Sequence, residues 1–292
     1  MKDQTLPDGI DMQGTTAIIV GNMQGLSQPN AILVAVDPET LEVLDSIDLP
    51  QPSTTPHIIT EYNDQIAIYV AMNTLIQRYF WDADSKTLSQ DESWESTPTV
   101  EGQTTPDAPT VLGDWIVLQT NGLGSSSVAS SIVVVNQNDS SNTQTIFPFG
   151  DLQEGEFSLA PPKPGADPDN NMIYSADMGV GKIAGIKFDP DTGDMETVFV
   201  LDQTASTFQM LIGPPDQRVL ILENLVDNAD GTQSDGVTWN NPATGEQYAA
   251  SDLFEPLTSN SVIAPGFGGR FYFPTAEGVI ALQVMPTPAE SE

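Results

Sequence analysis

The chain has 292 residues, 39% hydrophobic and only 17% charged, so it holds enough apolar material for a sizeable core and is not a charge-rich disordered tail. Forty-one acidic residues against eight basic ones give a formal charge of −33, which repels nucleic-acid phosphates and anionic lipid and attracts cations and basic proteins. Cysteine is absent, which excludes disulfides, thiol catalysis and zinc–thiolate sites, and no apolar run reaches the ~20 residues that span a bilayer.

One pattern recurs along the chain: a β-branched or aromatic run, a short polar turn, and a second such run. In chain order the pairs are Thr16–Gly21 with Ala31–Asp37, Gln65–Ala71 with Leu75–Asp82, and Asp114–Thr120 with Ser131–Asn136. Asn171–Ala176 with Lys182–Asp189, Arg218–Glu223 with Gly236–Asn241, and Arg270–Pro274 with Gly278–Val284 complete the set. Each pair reads as an antiparallel hairpin. The turn after the second run also repeats, as Asp37-Pro38-Glu39-Thr40-Leu41, Asp189-Pro190-Asp191-Thr192-Gly193 and Asn241-Pro242-Ala243-Thr244-Gly245, with a looser copy from Asp82 to Thr87. Its chemistry is that of a tight turn: Asp or Asn accepts backbone N–H bonds, Pro presets φ, and Gly takes the left-handed position.

After those turns come further strand-like segments, Glu42–Leu49, Thr87–Trp94, Met195–Leu201 and Glu246–Ser251. Short apolar stretches precede the first runs from the second repeat onward: His57–Thr60, Pro109–Leu112, Ser158–Pro161, Phe208–Ile212 and Ser261–Pro265. Four strands per repeat, at spacings of about 45 to 54 residues, is the blade of a β-propeller. The expected fold is therefore all-β, a propeller of about six four-stranded blades in one domain over residues 1–285, with 286–292 as a polar tail. Closing the ring requires Asp3–Gln13 to supply a strand.

The turns Ala35-Val36-Asp37-Pro38-Glu39-Thr40 and Lys187-Phe188-Asp189-Pro190-Asp191-Thr192-Gly193 resemble the quinoprotein-like (PQQ-like) propeller repeats, and the second also resembles the six-bladed lactonase/gluconolactonase group. Quinoprotein repeats place a docking Trp after the Thr-Gly turn, and their dehydrogenases carry an adjacent-cysteine disulfide and eight blades. Here only Trp94 stands near such a position, cysteine is missing and six repeats are found. A bound quinone is not expected.

Loops entering the inner strands converge at the mouth of a propeller's channel, and their polar residues here are His57, Asp107, Glu156, Gln209 and Asn260. These form the candidate ligand site. Resemblance to the lactonase group casts Asp107, Glu156 and Asn260 as metal ligands, and oxygen donors of that kind suit Ca²⁺. A channel filled with water would place the same polar residues there. His57 is the sole histidine, which excludes a multi-histidine metal site and reads as a hydrogen-bonded structural residue.

Other features read as structure. Asp189–Glu196 has glycine at the fifth place of the loop, where a calcium-binding EF-hand needs it at the sixth. The acidic stretch from Asp227 to Gly236 reads as a solvated hairpin tip. Gly122–Ser131 reads as a flexible insertion, not a phosphate loop, because no lysine follows its glycines. Trp81, Trp115 and Trp239 read as packing between blades.

With no catalytic constellation, the chain is expected to be a non-catalytic, exported propeller that binds a protein or small-molecule partner on one ring face, a basic or cationic one being what the charge attracts. Met1–Pro7 lacks the apolar region of a signal peptide, so an extracellular or periplasmic location requires a leader removed from this sequence. The alternative function is a Ca²⁺-dependent, lactonase-like hydrolase. Adaptation to a salty or acidic milieu is a further explanation of the charge.

Overall fold

A computed structural model describes residues 16–22, 31–53, 55–104, 106–122, 124–205, 210–256, 264–266, 270–275 and 278–283. Ten strands lead the chain: β1 (Ala17–Asn22), β2 (Ala31–Val36), β3 (Val43–Asp48), β4 (Ile58–Tyr62), β5 (Gln65–Ala71), β6 (Ile76–Asp82), β7 (Thr87–Ser96), β8 (Thr110–Leu112), β9 (Trp115–Gln119) and β10 (Ser125–Ser126). They are followed by β11 (Ile132–Asn136), β12 (Thr143–Ile146), β13 (Ser158–Leu159), β14 (Gly165–Asp167), β15 (Met172–Asp177), β16 (Lys182–Phe188), β17 (Met195–Asp202) and β18 (Met210–Ile212). The last are β19 (Val219–Glu223), β20 (Val226–Asp227), β21 (Gln233–Ser234), β22 (Val237–Asn240), β23 (Gln247–Ala250), β24 (Ala264–Pro265), β25 (Arg270–Thr275) and β26 (Gly278–Gln283).

Six blade sheets follow one another: β1-β2-β3, β4-β5-β6-β7, β8-β9-β11-β12, β14-β15-β16-β17, β18-β19-β22-β23 and β24-β25-β26. Every pairing is antiparallel and each blade is an up-and-down meander, most strands being joined by short turns, while the longer connections before β11 and β22 hold β10 and the β20–β21 ladder. All six hairpins expected from the sequence are present. The third blade also has an outer strand, β12, that its sequence conceals: Thr143–Ile146 (TQTI) carries too few apolar residues to stand out.

The chain divides into two compact units, Met1–Glu95 and Ser96–Glu292. In the first, sheets one and two bury Leu33, Ala35, Ile68, Val70, Tyr79 and Trp81 between them, and the Asp45 carboxylate accepts the Leu88 N–H at 2.7 Å. In the second, three such layers follow in series. Val117, Ile132 and Val134 meet Ile173, Ile186 and Phe188; Tyr174 and Ile183 meet Leu220 and Leu222; Ile221 and Trp239 meet Phe271 and Phe273. Central strands buried on both faces, as in β9 and β15, are what stacking between two like sheets demands. Trp81, Trp115 and Trp239 all lie in these layers, as expected.

The repeated turn works through its first residue. The Asp37 side chain accepts the N–H groups of Glu39 (2.9 Å) and Thr40 (3.1 Å), and Asn241 accepts those of Ala243 (2.8 Å) and Thr244 (3.2 Å). Four residues on, the chain is left-handed in every copy: Leu41 (φ 61°), Lys86 (φ 55°), Gly193 (φ 81°) and Gly245 (φ 74°). Glycine is needed at two of these for a second reason. A Cβ on Gly193 would stand 2.4 Å from the Trp115 ring, and one on Gly245 would stand 2.7 Å from the Phe199 ring. Each of those rings comes from the preceding blade.

Two expectations are corrected. Ser158–Pro161 is not the inner strand of the fourth blade: Gly165–Asp167 is, while Ser158–Leu159 pairs with Ser125–Ser126. By that pairing Gly122–Ser131 is no loose insertion, and Ser126, Ser130 and Ser131 are buried. The stretch from Asp227 to Gly236 is a hairpin tip as expected, extended by the β20–β21 ladder. The ring-closing segment Asp3–Gln13 and the tail Pro286–Glu292 lie outside the described residues.

Candidate functional site

Among the described residues, the most elaborate polar assembly joins the third and fourth blades at the end where their inner strands begin. Along β9, Trp115 and Val117 lie in the layer shared with the fourth blade, so strand alternation puts Gln119 on the same face. Along β15, Ile173 faces that layer, so Ser175 and Asp177 face it too. The layer is apolar at one end and polar at the other.

Asp177 organises the polar end. One carboxylate oxygen accepts Ser130 Oγ (2.9 Å) and Ser158 Oγ (2.6 Å), and the other accepts the N–H groups of Leu159 (3.0 Å) and Gly179 (2.9 Å). Four donors satisfy a carboxylate that is only 1% exposed, as burial requires. They also tie the Gly/Ser loop and the β10–β13 ladder to the body of the fourth blade. Gln119 Nε2 crosses the layer to donate to Ala176 O at 2.9 Å.

Asp107 and Lys163 stand above this seam. Each lies just before an inner strand, Asp107 ahead of β8 and Lys163 ahead of β14, so they occupy like positions in adjacent blades. Asp107 N donates to Gln119 O at 3.2 Å, its carboxylate accepts Ala108 N at 2.6 Å, and Gly122 leaves no room beside it, since a Cβ there would lie 2.5 Å from Asp107 Cβ. Burial pushes the Asp107 carboxyl up, against the backbone N–H of Ala108 and the charge of Lys163, and burial pushes the Lys163 ammonium down, against the charge of Asp107. The pair presents both charges, half-buried, at one entrance.

Glu156 is exposed and accepts the Gln153 N–H at 2.7 Å, closing its own turn. The His57 ring is hydrogen-bonded to the Ile18 backbone, and burial holds its pKa below the usual value. It lines a groove of about 350 Å³ with Ile18, Ile19, Val20 and Pro56. Gln209 and Asn260 lie outside the described residues. Among the described residues no three His, Asp or Glu side chains gather as a metal would need. Lys163 was missed by sequence reasoning; its place two residues before β14 shows only once that strand is moved off Ser158–Pro161.

Neither a protein-family model nor a curated protein sequence matches the chain. Solved structures do. Sqt1 of Saccharomyces cerevisiae matches with a TM-score of 0.56 at 10% identity, over 88% of this chain and 66% of that one. The WD40 domain of Toxoplasma gondii coronin matches with a TM-score of 0.52 at 9% identity, over the same shares, 88% and 66%. WD40 repeats build propeller blades of four strands.

The fold is a β-propeller.

A quinohemoprotein alcohol dehydrogenase from Comamonas testosteroni also matches, with a TM-score of 0.49 at 14% identity, over 78% of this chain and 42% of that one. The chain spans about two fifths of the dehydrogenase and 66% of each of the other two. At such identities the likeness extends to fold alone.

Proposed function

We propose that this protein is a non-catalytic propeller that acts outside the cytoplasm and binds a basic protein on the face carrying the inner-strand entrances. The observation behind this reading is where the few cations go. Arg78 is bound to Asp91, Arg218 to Asp167 and Asp169, and Lys163 is half-buried beside Asp107. Three of the eight basic side chains are thereby held beside carboxylates, and with 41 acidic residues against eight basic ones most carboxylates have no basic side chain to pair with. A surface of that kind steers cationic partners and repels anionic ones.

Affinity capture with the purified protein at moderate and at high salt tests the proposal. A stoichiometric basic partner, held at moderate salt and released at high salt, is the expected result. Recovery of no partner, together with calcium-dependent hydrolysis of a lactone by the same preparation, overturns it in favour of a lactonase-like hydrolase.

A further inference from the structure

Two side-chain atoms in the polar end of the seam between the third and fourth blades are buried and lack a hydrogen-bond partner: Gln119 Oε1 and Ser175 Oγ. Both residues are fully buried, at 0% exposure. They face the same layer from opposite sides, and the Gln119 amide is fixed by its Nε2 bond to Ala176 O, one residue beyond Ser175. That bond leaves Oε1 as an acceptor by necessity, since the amide cannot flip without losing it. A buried acceptor and a buried hydroxyl left unmatched in one layer each carry a desolvation penalty that buried polar groups in folded proteins nearly always avoid by finding a partner.

We infer that Gln119 Oε1 and Ser175 Oγ form a closed binding site for one internal water molecule. Water fits the two atoms because it donates to Oε1 and accepts from or donates to the serine hydroxyl, and internal waters have two to four polar partners. A metal ion fits badly. The nearby carboxylate of Asp177 is already saturated by four donors, and a hard cation needs about six or more oxygens where two are free. The water would complete the polar end of the seam, which carries Asp177 and the β10–β13 ladder beneath Asp107 and Lys163. This inference does not depend on the proposed partner.

A high-resolution crystal structure should show a water within hydrogen-bonding distance of both atoms. In solution, oxygen-17 relaxation dispersion counts long-lived internal waters, and a Gln119→Leu/Ser175→Val protein should have one fewer than wild type. Direct bonding of the serine hydroxyl to backbone, with no density between the two side chains, overturns the inference. So does an unchanged count in a folded double variant. If that variant fails to fold, Ser175→Ala alone serves: residence of one water should shorten at least tenfold, and an unaltered dispersion profile overturns the site.

Discussion

Arg78 shows how a cation is kept inside this acidic protein. It sits on β6, a strand buried almost throughout, with its guanidinium 4.0 Å from the centre of the Tyr62 ring and 5.4 Å from that of Trp94. Nε and an Nη donate to the same Asp91 oxygen at 2.9 and 2.5 Å, and Tyr69 Oη accepts at 3.3 Å. Aromatic faces and one carboxylate replace the water that burial removes. Removing only the carboxylate, as Asp91→Leu, strands the charge and should cost about 3–5 kcal/mol, whereas Arg78→Met with Asp91→Leu should cost much less than the two single changes combined. Urea unfolding of the four proteins measures this, and strict additivity would refute the coupling. The pH dependence has a definite sign. Burial alone would raise the Asp91 carboxyl, but hydrogen bonds from Ser93 and Arg78 outweigh it and hold it below 3.8. Its contribution is therefore present above that value and is lost as pH falls through the lower folded one, so acidification should cost wild type more than the double variant.

Between blades, the unit that matters is the turn with its visitor. Trp115 Nε1 donates to Pro190 O at 2.8 Å, and Tyr174 Oη donates to Pro242 O at 3.1 Å, so an aromatic of one blade is bonded to the proline turn of the next in two successive seams. Trp115→Phe loses the bond and the part of the ring that fits against Gly193, and should cost about 2–3 kcal/mol in chemical denaturation. The left-handed position gives a sharper contrast. Leu41 is 76% exposed with φ 61°, so Leu41→Gly should stabilise by about 1 kcal/mol, while Gly193→Ala should destabilise because its methyl meets the Trp115 ring. Effects of equal size and opposite sign at the two sites would show that conformation alone decides the residue. These elements were legible in the sequence because their signals are local: alternating apolar runs and Asp-Pro turns. The inner strand β14 was not, since Gly165-Ala166-Asp167 has no apolar run, and the more apolar Ser158–Pro161 drew the assignment. Of the candidate site, Asp107 was legible because it directly precedes a recognisable strand. Lys163 and the Asp177 network were not, because Ser130, Ser158 and Asp177 lie far apart in sequence and are joined only by the β10–β13 ladder.

For the molecule as a whole, a charge of −33 is a standing repulsion that the fold must overcome. Two effects of acidification then compete, and their order sets the pH of greatest stability. Protonating carboxylates relieves the repulsion, and Asp107 acts in the same sense: its folded pKa is raised by burial, so its cost appears as pH rises through that value and disappears as pH falls. Opposing this, Asp37, Asp82, Asp139 and Asp230 are held below 3.8. At Asp37 and Asp82 the backbone N–H groups they cap are the main cause, and at Asp139 and Asp230 the hydroxyls of Ser141 and Thr232 are. Their stabilisation persists until pH falls below the ordinary carboxylate value. Because ordinary carboxylates protonate near 4, the melting temperature should change little between about pH 8 and 6, rise as pH approaches about 4.5 and fall once it drops below about 4. Added salt should imitate the first effect at pH 8, where repulsion is greatest, and do less near pH 4, where much of the carboxylate charge is gone. Calorimetric scans over pH and sodium chloride would check both, and a melting temperature that fell steadily from pH 8 downward would show that carboxylate bonds outweigh the repulsion throughout.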